Sequence, residues 1–421
     1  MTLRTDAAAI VENIALRLAE PHRVSLPGDA LSLAEGCPGI ALLYAQLGSA
    51  DPQFYRAAHS WLSVTTSSGR GTPHAGLYHG VPALAFAVEL AARTPREYAG
   101  AREHLARQTA ELTAREVRRA RRVMAAPGQW LRLDQYDLVF GLTGLGGCLL
   151  RTGGHEPLRE ILRCLVDLTE PVLVGDRRLP GWWVAQNRLT HAPVPVLQGH
   201  ANLGMAHGVA GPLALLALAW KEGVRVPGHE EAVRRLVTWL VRWLGEDDAG
   251  TWWPEEVTWQ GPDEGSGGLG RAAAARPTWC SGTPGTARAL HLAGDALGEA
   301  GWCAQAVAAL VSVFERPLSR WGLEDPALCH GWAGLLHTTR RMAEDSGNRE
   351  LAARVPWLVG RVTDAFSAES EFGFPYASGG SGPVYDWPGF LMGAAGVALA
   401  LDGYARDGED HNGWDRVLLL G

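Results

Sequence analysis

The chain has 421 residues, 47% hydrophobic and 20% charged, ample for a large core, and its net charge of −7 excludes the global basic field of a nucleic-acid binder. Its longest apolar runs, such as "LALLALAW" at 213–220, fall well short of the roughly 20 residues of a membrane helix. The opening "MTLRTDAAAIVENIALRLAE" has no clean apolar stretch followed by a cleavage site, so a cytoplasmic protein without a membrane-spanning segment is expected.

Ala, Leu, Arg and Glu abound and period-2 runs of β-branched residues are scarce, which predicts an all-α fold. In chain order, a glycine turn followed by an apolar helix recurs. It appears as "LAEGCPGIALLYAQL" (33–47) and "LYHGVPALAFAVEL" (77–90). A long helical stretch, "AREHLARQTAELTAREVRRARRVMA", follows; its basic segment at 115–122 reads as a solvated face. The pattern returns as "LVFGLTGLGGCLL" (138–150), "MAHGVAGPLALLAL" (205–218) and "WCSGTPGTARALHL" (279–292). It closes with "LCHGWAGLLHTTRR" (328–341) and "FLMGAAGVALALD" (390–402). The first glycines, Gly36, Gly80, Gly141, Gly208, Gly282, Gly331 and Gly393, lie 44 to 74 residues apart, and only the second copy departs from G-x-x-G, with Ala83.

Each interval leaves room for one further helix, so the pattern reads as a helical-hairpin repeat. Seven apolar inner helices and seven more polar outer ones, closing on themselves, predict an α/α toroid formed by a single domain, 1–421, with the glycine-rich turns at one end. Parallel inner helices direct their N-terminal N–H groups at a common cavity, which suits anions such as thiolates and enolates. The competing reading is that the glycines serve helix packing alone.

Six cysteines over this length make no disulfide framework in a reducing compartment. Cys280 in the fifth turn and Cys329 with His330 in the sixth are two thiols and an imidazole, a donor set that favours Zn²⁺. Three protein donors leave one tetrahedral position open, as in a catalytic site. The alternative for each cysteine is a buried apolar filler, and so Cys37, Cys148 and Cys303 are read. His207 in the fourth turn is a candidate acid/base or a packed histidine, and Asp137 is a candidate partner or a helix cap. Arg276 is a candidate cation or a solvated surface residue. His79 stands in register with His207 and His330 and has no other mark.

This motif set resembles the lanthionine synthetase C-like (LanC-like) family, and in particular its stand-alone lanthipeptide cyclases, over essentially the whole chain. "WCSGTPG" and "CHGWAG" are similar to the family's two zinc signatures, "AHGVAG" to its catalytic histidine turn and "DLVFGLTG" to its catalytic aspartate motif. The resemblance implies one zinc ion on Cys280, Cys329 and His330, with His207 as acid/base, Asp137 as its carboxylate and Arg276 as a cationic partner. It also implies Michael addition of peptide cysteines to dehydroalanine or dehydrobutyrine, giving lanthionine or methyllanthionine rings. The implied partners are a dehydrated precursor peptide, a dehydratase and export machinery, with peripheral association to a membrane biosynthetic complex. One departure stands out: Ser281 follows the first zinc cysteine where the cyclase-type pattern has an aromatic hydroxyl residue.

Three other readings compete. A LanC-like protein that binds or adds glutathione would keep the same zinc site. A scaffold with structural zinc would need no chemistry. An α/α-barrel glycoside hydrolase would need two opposed carboxylates, for which Glu255, Glu256, Asp263 and Glu264 are the candidates, although they lie off the glycine turns.

Overall fold

The computed structural model describes residues 2–67, 76–187, 190–260, 269–377, 383–406 and 412–421; Asp263 and Glu264 fall outside the described residues. All seven glycine turns start a helix: Cys37–Ala50, Gly80–Ala91, Leu142–Thr152, Ala210–Lys221, Thr283–Leu297, Trp332–Ser346 and Ala394–Ala405. Alternating with them are Leu3–Arg17, Tyr55–Ser67, Ala99–Ala125, His155–Leu168, His229–Arg242, Ala300–Glu315 and Arg349–Asp364.

The two sets differ as their patterns predict. The Ala210–Lys221 helix buries every residue from Ala210 to Ala219, and Ala394–Ala405 every residue from Ala394 to Gly403. By contrast His229–Arg242 buries Ala232, Val233, Leu236, Val237 and Leu240, one stripe at helical spacing, and leaves its charged side to water. Pro38 and Pro284 sit in the first turns of their helices, where a missing N–H costs nothing.

The chain forms two compact units, one of Met1–Thr109, Gly322–Val417 and Gly421, the other of Ala110–Trp321 and Leu418–Leu420. In the first, the helices Trp332–Ser346, Ala394–Ala405, Cys37–Ala50 and Gly80–Ala91 pack side by side in that order. Arg349–Asp364, Leu3–Arg17 and Tyr55–Ser67 pack against them. In the second, Leu142–Thr152, Ala210–Lys221 and Thr283–Leu297 pack in order, with His155–Leu168, His229–Arg242 and Ala300–Glu315 against them.

Within each unit the turns are joined by a backbone ladder. In the second unit Leu138 N–H donates to Ala206 O (3.0 Å) and Ala206 N–H to Cys280 O (3.0 Å). In the first unit Cys329 N–H donates to Leu391 O (3.0 Å), Leu391 N–H to Ala34 O (2.8 Å) and Leu33 N–H to Tyr78 O (2.9 Å). The residue two or three before one glycine thus bonds to the residue two before the next, and the sequence repeat becomes a structural register.

The glycines serve the turns themselves and not helix packing alone. A Cβ on Gly285 would overlap the carbonyl oxygen of Trp279, and one on Gly334 that of Leu328, six residues back in both cases. Gly80, in the copy with Ala83, instead adopts φ 65°, a left-handed value that favours glycine.

Short strands are an addition that composition did not predict. His200–Asn202, Glu256–Trp259 and Leu269–Arg271 form an antiparallel sheet in the second unit, with Ala201 opposite Val257 and Thr258 opposite both His200 and Gly270. They are three or four residues long, too short to show a strand period. No helix of the described residues is long and apolar enough to cross a membrane.

Candidate metal centre and acid–base pair

Asp137 ends the short helix Leu133–Tyr136 and is fully buried. Its Oδ1 accepts the N–H groups of Phe140 (2.7 Å) and Gly141 (2.9 Å), which start the third turn. Its Oδ2 lies 2.6 Å from His207 Nδ1. That bond places the Nδ1 proton toward the carboxylate and leaves Nε2 as the free nitrogen. The ring of Phe140 stacks on the imidazole at 6.0 Å and 17°. Burial raises the Asp137 pKa, against the pull of His207 and the two backbone donors. Surrounding protein disfavours a charged His207, yet the bond to Asp137, its charge, and the nearby Cys280 and Glu255 raise the imidazole pKa above its ordinary value.

Glu255 is positioned by the three-stranded sheet, because its carbonyl accepts Leu203 N–H (2.9 Å) at the entry to the histidine turn. Cys280 is half-buried, with Thr278 Oγ1 3.5 Å from its Sγ and Ser281 Oγ 3.8 Å away. Ser281, the departure from the cyclase-type pattern, therefore sets an aliphatic hydroxyl beside the sulfur. Cys329 is also half-buried, and His330 Nε2 lies 3.0 Å from Oδ2 of the buried Asp325.

Cys280 in one unit and Cys329 with His330 in the other supply the donor types of a group that could hold a metal ion. Two sulfurs and one nitrogen fit zinc by donor chemistry, and so few protein donors fit a centre with an open position.

The remaining expectations fall elsewhere. Arg276 is exposed, and among the described residues no hydrogen bond or ion pair ties its guanidinium to Asp137, His207 or Cys280. Cys37 is fully buried and its thiol is pushed up to about 11 by burial, as suits a core filler; Cys148 is buried as well. Cys303 is half-buried, its Sγ on the carbonyl of His291 (3.6 Å). His79 precedes the Gly80–Ala91 helix without capping it through its side chain. In the basic segment Arg115 and Arg119 pair with Glu116, and Arg121 pairs with Glu160, all on a solvated face. Sequence reasoning missed Phe140, Thr278 and Asp325. Only Asp325, an acid just before a Cys-His pair, carried a local signal.

Over residues 29–419 the chain matches the lanthionine synthetase C-like protein family, and it belongs to that family. It is 22% identical over 314 residues to the nisin biosynthesis protein NisC of Lactococcus lactis subsp. lactis, covering 73% of this chain and 72% of that protein. Among solved structures it is similar to a nisin cyclase, with a TM-score of 0.76 and 21% identity over 97% of this chain and 96% of the other. That likeness shows the fold, an α/α toroid.

Proposed function

We propose that this protein is a zinc-dependent lanthipeptide cyclase, the whole chain, 1–421, acting as one catalytic domain. It joins cysteine thiols of a ribosomally made peptide to dehydroalanine or dehydrobutyrine in the same peptide. One observation carries the reading: an imidazole–carboxylate pair, His207 with Asp137, stands one backbone rung from Cys280, a member of a zinc-type donor group. Family membership and the nisin biosynthesis relative support it.

Cys280, Cys329 and His330 Nδ1 would hold the zinc, which when bound lowers the pKa of a substrate thiol so that thiolate exists near neutral pH. His207 Nε2 takes the thiol proton. The sulfur attacks the β-carbon, a C–S bond forms, and the alkene π pair moves toward the α-carbon and its carbonyl. His207 then returns the proton to the α-carbon, so atoms and charge balance without any oxidant. Asp137 keeps the ring oriented and favours its protonated form. Arg276 and the helix N-termini are proposed to stabilise the enolate charge, the arginine by moving in with substrate.

The substrate alkene must come from a dehydration, so a separate dehydratase acts first; export machinery and a peripheral association with a membrane complex complete the proposed setting. The test is thiol alkylation and mass spectrometry of a dehydrated precursor with and without the protein. Ring closure protects thiols from alkylation at unchanged peptide mass. Full alkylation in both samples would overturn the reading, and a glutathione mass increment would redirect it to glutathione addition.

A further inference from the structure

We infer that Asp325 is the positioning carboxylate of the metal centre, holding His330 so that Nδ1 is the nitrogen presented to the ion. The inference rests on the zinc reading above and extends it to a residue outside the donor set.

Asp325 lies six residues before Gly331, and its side chain is 6% exposed. Its place is fixed from three directions. Its carbonyl accepts Trp332 N–H (2.8 Å), its Oδ1 accepts Ala327 N–H (2.7 Å), and its Oδ2 lies 3.0 Å from His330 Nε2. A Cβ on Gly331 would overlap the Asp325 carbonyl, so the turn closes tightly on this residue.

The chemistry follows from the two imidazole nitrogens. In the neutral ring one carries the proton and the other the lone pair that binds metal. A carboxylate at Nε2 draws the proton to that side and leaves Nδ1 free to donate. Turning the ring to present Nε2 would take the imidazole away from a buried carboxylate oxygen, at an electrostatic cost. A carboxylate beside Nε2 also makes the ring a stronger donor, as in carboxylate–histidine–zinc triads generally.

The test measures zinc affinity of the full chain by competition with a chromophoric chelator, for the wild type, Asp325→Ala and Asp325→Asn. Asp325→Ala is expected to bind zinc about 10–100-fold more weakly, and Asp325→Asn comparably, because an amide whose carbonyl accepts Ala327 N–H turns an NH₂ donor toward Nε2. Cobalt(II) substituted for zinc should show shifted d–d bands in both variants, a change that general destabilisation would not produce. Asp325→Asn keeps an acceptor for Ala327 N–H, so it tests the inference if the alanine variant does not fold. Wild-type affinity with an unchanged cobalt spectrum in Asp325→Asn and in any folded Asp325→Ala would overturn the inference alone. A wild-type protein that takes up no zinc would overturn the metal reading and this inference with it.

Discussion

The N–H of Ala206 donates to the carbonyl of Cys280 across 3.0 Å, so the residue before His207 is fixed to the residue proposed as a zinc ligand. The proposed acid/base and the thiol therefore share one backbone register. On the other side of the same turn Leu138 N–H bonds to Ala206 O, which brings Asp137 into line with His207. Proton transfer depends steeply on such placement, and here it is held by main-chain bonds on both sides.

His207→Ala is expected to slow ring formation by about 10²–10⁴-fold while leaving zinc content unchanged. Asp137→Asn should be slowed comparably, because an amide whose carbonyl keeps the Phe140 and Gly141 N–H groups turns an NH₂ donor toward Nδ1 and moves the ring proton to Nε2. The rate at which alkylatable thiols disappear measures both. Cyclisation by His207→Ala at the wild-type rate would remove the histidine from the mechanism.

Cys280→Ala should reduce bound zinc well below one per chain, as elemental analysis would report, with its far-UV circular dichroism unchanged. Full zinc retention in that variant would show that the ion sits elsewhere. Unfolding of the variant would instead favour a structural role for the metal.

Two glycine-to-alanine changes should act in opposite directions. At Gly334 the new methyl group meets the Leu328 carbonyl, a backbone atom that cannot give way. A loss of about 1–3 kcal/mol is expected, comparable with other overpacking changes. Gly360 lies inside the Arg349–Asp364 helix with nothing within 4 Å of an added Cβ, so alanine there should gain about 0.5–1 kcal/mol through the unfolded chain. Thermal melts of the two variants decide the matter, and equal shifts of one sign would refute the turn argument.

Stability should fall in acid through Asp415. Burial alone would raise this carboxyl, but His337 Nε2 at 3.1 Å and the charges of Arg341 and Arg340 lower it from 3.8 to about 2. Its folded pKa is thus below its unfolded one, so its contribution is complete above about pH 4 and is lost as pH falls toward 2. The contribution is on the order of 2 kcal/mol. Denaturant unfolding at several pH values should show a steep decline over that window in the wild type and a shallower one in Asp415→Asn.

The seven turns and their buried helices were legible in the sequence because their causes are local. A glycine that faces a carbonyl six residues back writes its requirement into one short segment, and an apolar run long enough for several turns declares its own burial. Cys280, Cys329 and His330 stood out as candidates for a related reason, since each sits beside such a glycine and inherits its register.

What only the tertiary structure decided depends on partners far apart in the chain. The His207–Asp137 bond joins residues 70 apart, and His337–Asp415 joins residues 78 apart. The short strands at 200–202, 256–259 and 269–271 have no period of their own, and their pairing sets where Glu255 stands. Ser281 read as a missing phenol in the sequence, whereas in the fold it is a hydroxyl beside the Cys280 sulfur. Asp325 read as one more acid in a loop. Only burial and a 3.0 Å approach to Nε2 make it the group proposed to orient His330, because such an approach is a property of assembled atoms and not of spacing.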